Sequence, residues 1–194
     1  MTGRFARLSV AIAAGLSVLV VGCDSSGDPG TLPSVPGSSS GSSSGSASAS
    51  ATTVPTPPAA ARKHTSAGAS EFVRFYIDLI NAAYRTGSSE PLRTYADDEC
   101  DSCSSIADAV DRIYDSGGSA SGGLLTVADL TASSVASGIT PTVDSRVEIS
   151  PFKELNSAGE TLDTAPGKRD HLLFELRWSS GWTVVSIRHP RSRG

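Results

Sequence analysis

Three cysteines hold most of the chemistry that this chain of 194 residues offers. Cys23 closes the run Leu19-Val20-Val21-Gly22-Cys23, directly after an apolar N-terminal stretch. That is the pattern of a bacterial lipobox. The peptidase needs small or β-branched side chains beside the bond it cuts, and the transferase needs a thiol to receive a diacylglycerol thioether. Arg4 and Arg7 give a positive n-region and Leu8 to Val21 an apolar h-region, which predicts a signal peptide over residues 1–22. At about 14 residues the apolar stretch is short for a helix crossing a hydrocarbon core of about 30 Å. An uncleaved anchor and secretion with a free Cys23 are the alternatives. The expected mature chain begins at a lipidated Cys23 on the extracytoplasmic face of the cell membrane. Two or three acyl chains on one cysteine hold it there, at about 0.8 kcal/mol per buried methylene.

With Cys23 consumed, Cys100 and Cys103 remain as a pair. In Cys100-Asp101-Ser102-Cys103 this spacing suits a structural disulfide, a redox centre or half of a metal site. An oxidising exterior allows the disulfide. A reactive thiolate needs positive potential nearby, whereas Asp97, Asp98, Glu99 and Asp101 surround this pair with negative charge and disfavour the thiolate. A zinc site would need two more Cys or His ligands close by. The pair therefore reads as a structural disulfide, and no metal or cofactor is expected.

Other candidate groups are scattered. Tyr76, Tyr114, Asp129, Glu148, His171 and Glu175 could serve as acids or bases in a pocket, but no two of them adjoin by motif. Asp129 is the one acid in an otherwise apolar or small stretch. Tyr76, Tyr114 and Asp129 are thus the residues expected to line a pocket, with no catalytic residue assigned. The acidic run from Asp97 to Asp101 lacks the alternating ligands and glycine of a calcium loop. A phosphate-binding glycine loop, a Ser/His/Asp order and a zinc-helix motif are all missing from the sequence.

Composition sets the frame for these residues. Residues 23–68 contain no aromatic side chain after Cys23 and run through Ser/Gly/Ala-rich sequence to Pro55-Thr56-Pro57-Pro58. Such a segment buries too little apolar surface to offset its ordering entropy, so a disordered tether is expected, with an extended proline patch near its end. A chain of about 45 such residues reaches roughly 35–40 Å. Residues 69–194 are enough for one modest core and carry 12 Lys+Arg against 18 Asp+Glu, a net of −6 that argues against nucleic acid as a partner. The closing Arg188-His189-Pro190-Arg191-Ser192-Arg193 is locally basic and reads as a solvated tail.

Within that domain the period is first helical. Phe72, Phe75, Tyr76, Leu79, Ile80 and Ala83 form one stripe, with Ser70 placed to cap and Gly87 to stop. A short helix is predicted from Ser89 with Pro91 in its first turn, and a third from near Ser102 to Gly117-Gly118. The disulfide would pin the corner between these two. After Gly123 the period becomes two. Strands are predicted over Leu124 to Val135 with a bulge near Asp129, and around Val143 to Ile149. A weaker one spans Phe152 to Leu162 around an Asn156-Ser157-Ala158-Gly159 turn, and a hairpin follows at Ser179-Ser180-Gly181. The class is α+β, with N-terminal helices packed on a curved antiparallel sheet.

Three helices followed by a bent antiparallel sheet that ends in a Trp-bearing hairpin resemble the nuclear-transport-factor-2-like, or cystatin-like cone, fold. Glu71-Phe72-Val73-Arg74-Phe75-Tyr76, Asn81-Ala82-Ala83-Tyr84, Thr86-Gly87 and the Cys-x-x-Cys resemble an uncharacterised family of actinobacterial lipoproteins. The resemblance implies a cone fold and an envelope location, and it brings no activity with it. The leading expectation is a non-enzymatic, membrane-anchored domain that binds an envelope protein or cell-wall component. A small-ligand carrier or enzyme using the cone pocket is the second, and a thiol oxidoreductase the third.

Overall fold

The computed structural model describes residues 54–136 and 140–190. The predicted signal peptide, Cys23, the tether as far as residue 53 and the last four residues lie outside them.

Three helices come first: α1 (Ser66–Thr86), α2 (Glu90–Thr94) and α3 (Asp101–Asp115). The predicted stripe makes α1 the spine of the core. Phe72, Val73, Tyr76, Ile77, Leu79, Ile80 and Ala83 are all buried, each large apolar side chain contributing about 1.5–3 kcal/mol. The helix starts earlier than Ser70. Thr65 is the cap, its Oγ1 accepting from the Gly68 N–H at 3.0 Å. The first turn, Ser66-Ala67-Gly68-Ala69, is too small-residued to show a period in sequence. Gly87 ends the helix as predicted, and α2 and α3 follow the predicted bounds closely.

The strands form two antiparallel sheets rather than one meander. Strands β2 (Leu125–Ala132), β3 (Thr142–Ile149), β6 (Lys168–Trp178) and β7 (Trp182–Arg188) make the larger sheet in the order β2-β3-β6-β7. Strands β1 (Ser119–Gly122), β4 (Phe152–Leu155) and β5 (Thr161–Ala165) make the smaller, in the order β1-β4-β5. The predicted strand from Phe152 to Leu162 is thus a hairpin whose turn divides β4 from β5, and β1 was invisible because Ser119-Ala120-Ser121-Gly122 has no pattern. The chain crosses between the sheets three times, at Gly122-Gly123, at Ser150-Pro151 and at Pro166-Gly167, and all three crossings fall at one corner. Gly122 and Gly123 take φ of 75° and 69°, and the Gly123 N–H meets the carbonyl of Pro151, which itself has no N–H with which to extend β3. The predicted bulge is present between Val127 and Asp129.

Residues 54–65 correct the tether expectation. Instead of unpacked coil to residue 68, this segment lies as a strap on the domain, with Ala61 1% exposed. The Tyr95 hydroxyl donates to the Pro55 carbonyl at 2.7 Å and the Trp182 indole N–H to the Lys63 carbonyl at 3.1 Å, while the His64 ring stacks on Trp178 at 4.8 Å. Composition could not reveal this, because the strap's partners are aromatic rings supplied 40 to more than 100 residues later.

The edge of β2 is held by one side chain. Leu124 gives its carbonyl to Ser150, so the alternation of the strand turns Leu125 to the free edge. There Asn81 of α1 donates Nδ2 to the Leu125 carbonyl at 2.9 Å and accepts its N–H on Oδ1 at 2.8 Å. Replacing Asn81 by Leu strands both backbone groups, and urea unfolding should show a loss of about 2–4 kcal/mol. Ser145 presents the converse case. Its Oγ is buried with no partner, so Ser145→Ala should leave the melting temperature unchanged or raise it.

Candidate functional site

The cone encloses an apolar cavity of about 290 Å³. Ile80 and Tyr84 of α1 and Ile106 of α3 form its roof, because Ile80 and Tyr84 stand four residues apart on one helical face. The inner face of the larger sheet supplies Leu125, Ile149, Leu172, Phe174 and Ile187, and Gly123, Phe152 and Ala165 stand at the corner between sheets. Most of these residues are only partly buried, so the cavity is open rather than filled by its own walls. Tyr84, packed edge-on to Phe152, is the only lining side chain that ionises. Burial raises its pKa, against a smaller lowering by the Arg112 charge, so the phenol stays neutral.

The cavity's charged neighbours are already paired. Asp170 lies two residues before Leu172 on the same face of β6, so it points to the same side of the sheet. It is flanked by Lys168 Nζ at 2.7 Å and His189 Nδ1 at 3.2 Å. Burial opposes its ionisation, but the Lys168 ammonium and the His171 N–H outweigh this, and the carboxyl sits below its ordinary range. On the α3 side Arg112 holds the buried Glu154 at 2.8 Å.

None of the three residues expected in a pocket lines this one. Tyr76 is fully buried on the core side of α1, its hydroxyl 3.4 Å from the Leu92 carbonyl, and desolvation drives its pKa far above the ordinary tyrosine value. Tyr114 ties α3 to α1 by donating to the Tyr84 carbonyl at 2.6 Å. Asp129 is exposed. The bulge spends Ala128 as an extra residue, so Val127 pairs with Val147 but Asp129 pairs with outward Arg146, and Leu130 takes the inward place. Tyr84, which sequence reading passed over, could have been found as the i+4 partner of Ile80.

The remaining candidates sit on the outer sheet face. His171 Nε2 lies 2.6 Å from Asp144, Glu148 pairs with Arg169, and Glu175 pairs with Arg188 and accepts from Ser186. A larger hollow of about 680 Å³ opens beside this face; of the charges that line it, Glu148 and Arg169 pair with each other, His171 with Asp144 and Asp170 with Lys168. His171 and Asp144 are 43% and 40% exposed, which leaves this pair hydrated and outside the cone. Among the described residues no three His, Cys, Asp or Glu side chains are grouped to hold a metal ion, and no helix is long and apolar enough to cross a membrane.

Cys100 and Cys103 form a disulfide, with Cα atoms 5.3 Å apart and both residues at most 2% exposed. The bridge sits at the first turn of α3, at the corner after α2. Ser102, inside the loop, accepts the Ile187 N–H of β7 at 2.9 Å, so the bridged turn also fixes α3 against the sheet beside the cavity.

The fold and cavity define an α+β cone domain with an apolar interior open to solvent. Residues 42–188 match the model of a family described as a family of unknown function, DUF6318, and the chain belongs to that family. No curated protein matches it. Solved structures that are similar include the intermembrane space region of the chloroplast protein ARC6, 17% identical with a TM-score of 0.49 over 66% of this chain and 97% of that one. The Kfla4162 protein from Kribbella flavida is 13% identical, with a TM-score of 0.37 over 63% of this chain and 86% of that one. A variant of Rd1NTF2_05 is 16% identical, with a TM-score of 0.35 over 62% and 97%. These likenesses extend to no ligand or activity.

Two outcomes follow from this geometry. Cys100→Ser with Cys103→Ser should lower the unfolding free energy by about 2 kcal/mol in chemical denaturation. The stabilisation due to Asp170 is complete above the ordinary carboxylate pKa and is lost as pH falls through its lower folded value. Melting curves of Asp170→Asn should therefore show a shallower decline on acidification than the parent.

Proposed function

We propose that the protein is a non-enzymatic binding protein, lipid-anchored through Cys23 on the extracytoplasmic face of the membrane, whose cone holds a small apolar ligand or the apolar part of a larger one. The observation that carries this reading is the open cavity, walled by apolar side chains with a single neutral phenol. A general acid or base needs a titrating group within reach of the substrate, and the acids beside this cavity are committed to Lys168, His189 and Arg112. An apolar hollow of about 290 Å³ is near the lower bound of small-molecule sites, which gain affinity chiefly by removing apolar surface from water. The buried disulfide argues against a thiol oxidoreductase, since exchange requires an attacking thiolate to reach a sulfur.

The anchor is read from the lipobox, and the Ser/Gly/Pro-rich segment after it supplies the spacer between bilayer and domain. The likeness at residues 71–103 supports placing the protein among actinobacterial envelope lipoproteins, with an envelope lipid or wall component as the source of the ligand.

Two measurements test the two halves. In cells fed an alkyne-tagged fatty acid, the chain should carry the tag and Cys23→Ala should lose it; equal tagging of both would refute the anchor. Native mass spectrometry of the soluble Cys23→Ser chain should show a bound apolar species, and Ile106→Trp, which fills the roof, should remove it at least tenfold. A ligand-free parent that also fails to bind a fluorescent apolar probe would refute the cavity reading.

A further inference from the structure

The aromatic corner under the strap has the features of a site for proline-rich chain. Pro55, Pro57 and Pro58 each fix φ near −65°, and Val54, Thr56 and Pro57, each preceding a proline, are pushed to extended backbone. Residues 54–58 accordingly form neither helix nor strand. Of these residues, Pro57 lines a hollow shared with Tyr95 and Trp182, and Phe72 and Phe75 stand behind Tyr95 at ring separations of 6.2 and 5.2 Å. The Tyr95 hydroxyl donates to the Pro55 carbonyl at 2.7 Å. An aromatic-lined groove, with a side-chain donor on a carbonyl that takes no part in helix or sheet bonding, is how proline-rich segments are recognised in general.

Two parts of the strap are held differently. Residues 59–65 are fixed: Ala61 is buried, the Trp182 N–H holds the Lys63 carbonyl, and a Cβ on Gly68 would stand 2.0 Å from that carbonyl. Residues 54–58 are held lightly. Pro55, Thr56 and Pro58 are exposed, and a hollow of about 220 Å³ remains between Pro57, Ala61 and Arg62 of the strap and the rings of Phe72, Tyr95 and Trp182. An anchored stem therefore keeps a weakly seated Pro-x-x-Pro segment next to a groove that it does not fill.

We propose that this groove, formed by Tyr95, Trp182 and Phe72, is an interaction surface for a proline-rich segment of another polypeptide, which binds by displacing residues 54–58. The cis segment acts as a resident competitor, present at an effective concentration near millimolar because its stem is short. The surface is separate from the cone cavity and stands whether or not that cavity holds a ligand.

The test is titration of a synthetic peptide of residues 54–60 into the full-length chain in detergent, followed by tryptophan fluorescence. Both tryptophans of the chain lie at this corner, so the signal reports on it directly. Replacing Pro55, Pro57 and Pro58 by Gly should loosen the cis segment and lower the half-saturating peptide concentration about tenfold or more. Adding Tyr95→Phe should reverse most of that gain, and a peptide with its prolines changed to alanine should not bind. Equal affinity for parent and glycine variant, or equal binding of the alanine peptide, would overturn the proposal. A photo-reactive group on the peptide gives a readout on the unmodified chain. Attachment at Tyr95, Trp182 or Phe72 supports the site, and attachment elsewhere, or only strap exchange between two copies of the chain with no peptide binding, overturns it.

Discussion

Helix α1 lying across the sheet is the constraint from which the rest of the domain follows, and Asn81 fixes where it lies. A helix buried along a whole stripe could slide along its axis by a turn and still cover apolar surface. The Asn81 amide removes that freedom by acting as a substitute strand on the open edge of β2, offering one donor and one acceptor to Leu125. It also satisfies the first residue of that open edge without spending another strand on it. Once that register is set, Ile80 and Tyr84 must overhang the inner sheet face at the corner between sheets, and the cavity is the space that they roof.

The opposite end of the same helix organises the second feature. The first turn of α1 is small because Lys63 passes close to it, and the strap then reaches the aromatic corner made by α2, β6 and β7. The two surfaces differ in chemistry for a physical reason. The cavity has shape and apolar area with almost no donors, so it can select by size and hydrophobicity. The corner has ring faces and two side-chain donors, so it can read backbone carbonyls of an extended chain. The disulfide at the first turn of α3 fixes the wall that they share, since Ser102 holds β7 from inside the bridged loop.

Much of this was legible in the sequence, and the failures have specific causes. The helical stripe, the α2 and α3 bounds, the bulge near Asp129 and the Ser179-Ser180-Gly181 hairpin follow from side-chain period and turn chemistry, which are local. Strand β1 was not legible, because Ser119 to Gly122 pair only through backbone atoms with β4. Asp129 shows how a correct local reading gives a wrong site: the bulge was foreseen, but which residue it would turn outward depends on the register with Arg146. Tyr76 and Tyr114 failed similarly. Both are well placed on their helices for a pocket, but the helix packing makes one a core residue and the other a strut to the Tyr84 carbonyl.

By itself the sequence determined the α+β class, the pairing of Cys100 with Cys103 and the absence of a catalytic motif, since each depends on residue types at short spacing. Tertiary structure alone decided that the cone is open, that Tyr84 rather than Tyr76 faces it, and that the proline patch is tied to Tyr95 through the Pro55 carbonyl. Those outcomes depend on surfaces meeting across separations of 40 to more than 100 residues, as in Pro55 with Tyr95 and Lys63 with Trp182. No local pattern encodes which face will meet which; the packing of α1 against the sheet does.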